Sequence, residues 1–149
     1  MSPSRKALRR PDGLIAAGLV PPERRAGIEA VAARYALALT DEVADLIDPA
    51  DPHDPIARQF VPDPAELEVA RGEMADPIGD DAHSPVEGIV HRYPDRVLLK
   101  PVHVCAVYCR FCFRREMVGP GAEPLTAQQL DLALDYIASH PEILSLIHI

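Results

Sequence analysis

Prolines interrupt residues 48–85 every few positions, at Pro49, Pro52, Pro55, Pro62, Pro64, Pro77 and Pro85, and many acids stand between them. Each proline fixes φ, removes a donor and pushes the residue before it out of the helical region. No long helix or central strand fits such a stretch, so any long element must lie before residue 48 or after residue 85. Apolar side chains are still spaced through it, at Ile56, Phe60, Val61, Leu67 and Val69. That spacing favours an irregular segment wrapping over other structure above a solvated linker.

The flanks carry ordinary patterns. Residues 13–18 read as a short helix with Asp12 as its cap. Pro21 and Pro22 open a second helix from Glu23 to about Leu39, where Ile28, Val31, Ala32, Tyr35 and Leu39 recur at helical spacing. Thr40 reads as the N-cap of a third helix that stops near Asp48, with Asp41 and Glu42 favourable in its first turn. Beyond residue 85, Val97, Leu98, Leu99, Val102 and Val104 spell a strand. Thr126 with Gln129 is a capping box, and the helix it opens has Leu130, Ala133, Leu134 and Ile137 as its buried stripe. Strand, loop and helix make one βα unit, and in parallel βα folds a site forms in the loop after the strand. The 149 residues suit one ordinary domain and are too few for a whole α/β barrel of ~250.

Charge narrows the classes of partner. Lys and Arg number 15 against 23 Asp and Glu, a net charge of -8. An acidic chain is a poor prior for a nucleic-acid binder. No apolar run approaches the ~18–20 residues of a membrane span, and the basic start lacks the apolar stretch of a signal peptide. The expectation is a cytoplasmic protein with no membrane or nucleic-acid partner, and with Arg5, Lys6, Arg9 and Arg10 on a solvated terminus.

The chemistry concentrates in one loop. All three cysteines, Cys105, Cys109 and Cys112, fall within eight residues. A disulfide framework would spread its cysteines along the chain. Three readings remain. The thiols are buried apolar residues; or they bind zinc with His103 as a fourth ligand; or they hold an iron–sulfur cluster that leaves one iron open. The spacing of four and three residues favours the cluster, since structural zinc sites more often pair two-residue spacings.

Cys105-x3-Cys109-x2-Cys112, with Phe111 before the third cysteine, resembles the signature of radical S-adenosylmethionine enzymes. His91-Arg-Tyr-Pro-Asp-Arg96, the following Val-Leu-Leu, the cysteine loop and Arg114-Arg115 resemble the lysine 2,3-aminomutase family in particular. The runs at 46–56 and 58–62, Asp76-Pro-Ile-Gly-Asp and Ser84-Pro-Val-Glu-Gly are similar to it as well, so the likeness extends from about residue 12 to Ile143. It implies an α/β fold: a helical N-terminal arm (1–47), a Pro/Asp-rich wrapping segment (48–85) and the first βα unit of a truncated radical S-adenosylmethionine partial barrel (86–149). It also implies an isomerase that moves the α-amino group of lysine to the β-carbon. Such an enzyme uses a [4Fe-4S] cluster on the three cysteines, S-adenosylmethionine cleaved to an adenosyl radical, and pyridoxal phosphate. Carried over by position, Arg92 and Arg96 hold the pyridoxal phosphate group, Tyr93 packs beside its ring, and Phe111 belongs to the cofactor loop. Arg114 grips the substrate carboxylate.

Cys-Arg-Phe-Cys-Phe-Arg-Arg is more similar to the branch that modifies elongation factor P, whereas the HRYPDR stretch is more similar to the free-lysine branch. The substrate is therefore a small amino acid or a residue of the elongation factor P pathway, with a glutamate-type aminomutase still open. The resemblance also allows a homo-oligomer of the full-length enzyme. The family's Gly-Gly-Asp segment, its pyridoxal-anchoring lysine and its distal substrate acids have no counterpart here, and no lysine follows Lys100. No catalytic residue is therefore assigned. Residues 144–149, Leu-Ser-Leu-Ile-His-Ile, are similar to a translated sequencing adaptor. The expectation is a reading frame cut short at Ile143, an inactive fragment, and no role for His148; the other reading of 144–149 is a genuine apolar strand. The rival functions are a small iron–sulfur or zinc protein and a non-catalytic fragment that docks on a partner.

Overall fold

The computed structural model describes residues 7–119 and 122–148, so Arg5, Lys6 and Ile149 lie outside the described residues. These residues form an α/β fold of five α-helices and a three-stranded mixed sheet, divided into two compact units that interleave along the chain. One unit takes the residues up to Glu73 together with 105–119; the other takes 74–104 and 122–148.

The first unit is built from short pieces. Helix α1 (Pro11–Ala16) starts on a proline at its first position, where the missing N–H costs nothing. Asp12 is not its cap; Arg10 holds that position without a side-chain bond, and Asp12 pairs with Arg25 from the first turn. A 3₁₀ turn (Pro22–Arg24) leads into α2 (Arg25–Arg34), which ends at Tyr35 rather than near Leu39. The reason lies in the next four residues. Leu37 and Leu39 join Leu14, Val20, Ile28 and Ile47 in one core cluster, while Ala36 and Ala38 pack with Tyr108. That alternation has the period of extended chain. Leu39 also exchanges backbone hydrogen bonds of 2.7 and 3.0 Å with Leu8.

Thr40 does cap α3 (Asp41–Ala44), its hydroxyl accepting the Val43 N–H at 3.5 Å, but the helix lasts a single turn. Through the proline-rich stretch the elements are equally short: α4 (Ala57–Phe60) and 3₁₀ turns at Pro64–Leu67 and Asp81–His83. Acids serve the backbone here. The Asp54 carboxylate accepts N–H bonds from Asp48, Ile56 and Ala57, which holds its carboxyl below the ordinary range. Ile56, Phe60 and Val61 pack against the first unit's core.

The second unit is regular. Strand β1 (Ile89–Tyr93), not anticipated from the pattern, forms a hairpin with β2 (Arg96–Leu99) through Pro94 and Asp95. Strand β2 stops before Val102 and Val104, both exposed, because Pro101 withdraws a ladder donor. Helix α5 (Ala127–Ala138) begins at the expected capping box: Gln129 N–H donates to the Thr126 hydroxyl at 3.2 Å, and Thr126 N–H to Gln129 Oε1 at 2.9 Å. Strand β3 (Ser145–His148) then runs parallel to β2, in the sheet order β1-β2-β3, with all four of its residues exposed. Ala133, Leu130 and Ile137 of α5 cover Ile89, Val97 and Leu99. Leu134 is not part of that stripe; it is 48% exposed, on the flank of a helix that meets the sheet through positions 130, 133 and 137. Among the described residues no helix is long and apolar enough to cross a membrane.

Candidate functional site

The cysteine loop consists of consecutive turns. Cys112 N–H donates to the Cys109 carbonyl at 3.2 Å, Arg115 N–H to Cys112 at 3.2 Å, and Met117 N–H to Arg114 at 2.9 Å. Such turns curl the chain so that thiols four and three residues apart approach one another. All three are free: Cys105 is exposed, and Cys109 and Cys112 are partly covered. Desolvation pushes the Cys105 thiol above its ordinary range, and the nearby Cys112 and Cys109 add to that rise. Deprotonating all three would concentrate negative charge that a cationic centre offsets, so the donor set fits a thiolate-bound metal group. Among the described residues, no three of His, Cys, Asp or Glu converge on a point as ligands of a single ion.

Tyr108 roots the loop. Its N–H donates to the Ala38 carbonyl at 3.0 Å, and its hydroxyl accepts from Cys105 N–H at 3.5 Å. Cys109 and Cys112 line an open crevice with Tyr35, Ala36, Tyr108 and Arg115. The aromatic side chains beside the third cysteine stay out in solvent, Phe111 at 68% exposure and Phe113 at 48%. The Arg114 guanidinium lies 4.7 Å over the Phe113 ring, a stack that orients its planar fork. Arg115 stands 4.6 Å over the Tyr35 ring and pairs with Glu73.

Arg92, Tyr93 and Arg96 belong to the sheet unit. Arg92 donates to the Ile78 carbonyl and pairs with Asp80 at 3.2 Å, next to an irregularity in the β1–β2 register between Val90 and Tyr93. Arg96 forks onto Asp95 with two bonds of 2.8 Å and lies 5.7 Å over the Tyr93 ring. That pair holds the Asp95 carboxyl below its ordinary range. Both arginines thus face carboxylates. The Arg96–Asp95 pair is exposed, and exposed pairs contribute little.

Three features go beyond the sequence reading. Arg110, between the second and third cysteines, forks onto Glu66. Glu66 closes a capping box with Asp63, a D-x-x-E pattern that could have been found. His91 Nδ1 shares a 2.7 Å hydrogen bond with the Tyr136 hydroxyl, and His140 stacks on Tyr136 with centroids 4.0 Å apart.

The chain is similar to L-lysine 2,3-aminomutases from several organisms. It is 39% identical to that of Clostridium subterminale over 121 residues, 81% of this chain and 29% of that protein. It is 41% identical to that of Bacillus subtilis over 107 residues, 72% and 23%. It is 37% identical to that of Escherichia coli over 110 residues, 73% and 31%. The chain therefore spans about a third or less of the length of these relatives. No protein-family model matches it.

Proposed function

We infer a function from one premise: this chain belongs to the lysine 2,3-aminomutase family. The protein that carries it is an isomerase of the 2,3-aminomutase type. The sheet unit supplies the opening strand and helix of a partial (β/α) barrel, and the cysteine loop between β2 and α5 holds the reactive centre. Three free thiols on one turn-rich loop are the observation that carries this reading.

Cys105, Cys109 and Cys112 hold a [4Fe-4S] cluster. Bound together, the cluster, S-adenosylmethionine and pyridoxal phosphate supply a radical that starts the 2,3-shift and a carrier for the migrating amine. The chain's own residues bind and orient. Arg114, stacked on Phe113, binds the substrate carboxylate, which a guanidinium fork suits. Arg92 and Arg96 take the phosphate in place of Asp80 and Asp95, and Tyr93, beside the Arg96 guanidinium, flanks the ring. Phe111, exposed next to Cys112, covers the cofactor on the loop's open side. The substrate is lysine, free or in the elongation factor P pathway.

The test uses a protein of the relatives' length that carries these 149 residues. After anaerobic reconstitution and reduction, it is incubated with S-adenosylmethionine, pyridoxal phosphate and either lysine, glutamate or elongation factor P. Formation of a β-amino product from lysine or from elongation factor P is expected, with loss of turnover in Arg114→Ala. Product from glutamate alone overturns the substrate assignment. No β-amino product from any of the three overturns the function.

A further inference from the structure

We propose that Arg110 and Glu66 are positioning residues: their ion pair holds the cysteine loop in the shape that receives the iron–sulfur cluster. The proposal rests on the cluster assignment above. Arg110 sits between two of the three thiols, yet its side chain turns away from solvent, 9% exposed against 12% for Glu66. Every part of its fork is used. Nε donates to Glu66 Oε1 at 3.0 Å, Nη2 to Oε2 at 2.6 Å, and Nη1 to the Ala36 carbonyl at 2.8 Å. Its main-chain N–H donates to the Gln59 carbonyl at 2.8 Å. One residue therefore ties the loop to three separate segments: the extended run at 36–39, helix α4 and the turn Pro64–Leu67.

Glu66 is itself held in place, because Oε1 also accepts the Asp63 N–H at 2.9 Å. On the other side of Cys109, Tyr108 is anchored by its bond to Ala38 and by packing on Ala36 and Ala38. Further on, Gly119 approaches Ala36 so closely that a Cβ would stand 2.4 Å from its methyl. Cys109 is thus bracketed by fixed residues, in a loop that has no ladder or helix to order it. An unsupported loop would have to lose its conformational freedom when the cluster binds, and a preorganised one has already lost it. Ligand geometry in a metal site depends on such outer support. Burying an ion pair is costly unless its hydrogen bonds are complete, and here they are. Arg110 touches neither substrate nor cofactor in this role.

The experiment compares the 149-residue chain with Arg110→Met, Arg110→Lys, Glu66→Gln and the double variant Arg110→Met/Glu66→Gln. Hydrogen exchange at residues 105–112 is measured without iron, with the amides of α2 as an internal control. After anaerobic reconstitution with iron and sulfide, cluster lifetime is followed against an iron chelator, and the reduced cluster is examined by electron paramagnetic resonance. Arg110→Met should exchange the loop amides at least about tenfold faster with α2 unchanged, and lose its cluster about tenfold faster. Its resonance lines should broaden, as expected of a cluster held in several geometries. Arg110→Lys should recover part of both effects, and the double variant should be no worse than Arg110→Met alone. Should Arg110→Met fail to fold, Arg110→Lys and Glu66→Gln carry the same comparison with smaller shifts. Wild-type loop protection and cluster lifetime in the variants overturn the proposal while leaving the cluster assignment intact. A wild-type chain that takes up no iron overturns both.

Discussion

The two units are held together in opposite ways. In the sheet unit, a hairpin and a parallel strand share one hydrogen-bonded ladder, and one twelve-residue helix packs with them around a small core of Ile89, Val97, Leu99 and Ala133. In the cysteine-bearing unit the longest helix has ten residues, and most of the described residues lie outside helices and strands. There, carboxylates and carbonyls satisfy the backbone locally: Asp54 takes three N–H groups, and Glu66 takes a main-chain N–H and a guanidinium. A ladder tolerates the loss of one side chain because its neighbours keep the register. A mesh of single side-chain bonds does not. The difference teaches that the cysteine loop sits where shape is specified residue by residue.

The largest expected changes to stability come from the two cores. Leu14→Ala in the first unit and Ile89→Ala in the second each remove a fully buried side chain, and each should cost about 2–5 kcal/mol. Hydrogen exchange should show protection falling first in the unit that carries the substitution. Equal loss in both units from either variant would break the distinction between them. Next comes Gly119→Ala. Its φ of +121° is poorly suited to alanine, and the added Cβ meets Ala36 at 2.4 Å. A cost of about 1–3 kcal/mol is expected in chemical denaturation. A neutral Gly119→Ala would show that the irregular unit yields easily.

Thr126→Ala removes one half of a capping box in the sheet unit and should cost about 1 kcal/mol, read as a lower thermal midpoint. The smallest effect is on pH dependence. The Asp54 carboxyl titrates lower when folded than when unfolded, so the unfolded chain takes up its proton first as pH falls. The stabilisation is complete above the ordinary carboxyl range and is lost as pH drops through the folded value. Asp54→Asn should therefore flatten the fall in thermal midpoint between about pH 5 and pH 2. An unchanged acid limb would show that the Asp54 turn adds nothing to the first unit's stability.

What was legible in the sequence follows the same division. The helix at Ala127–Ala138 is announced by Thr126 and Gln129, because a capping box is local chemistry. The ban on long elements across 48–85 is equally local, since proline acts on its own φ and its own N–H. The end of α2 was not legible. Residues 35–39 fit a helical stripe and an alternating strand equally well, and the choice depends on Tyr108, seventy residues away in sequence. Strand β1 escaped notice because only Ile89 and Val90 of its five residues are buried. Within the site, the three cysteines stand out by identity. Arg110 reads as one more surface charge until Glu66, more than forty residues earlier, is seen to face it.

Anaerobic reconstitution of the 149-residue chain, followed by iron, sulfide and zinc analysis, tests most directly whether the irregular unit holds the cluster. About four irons and four sulfides per chain are expected, with a brown chromophore that Cys105→Ala, Cys109→Ala and Cys112→Ala each abolish. Stoichiometric zinc with no uptake of iron, or iron binding that survives all three substitutions, would contradict it.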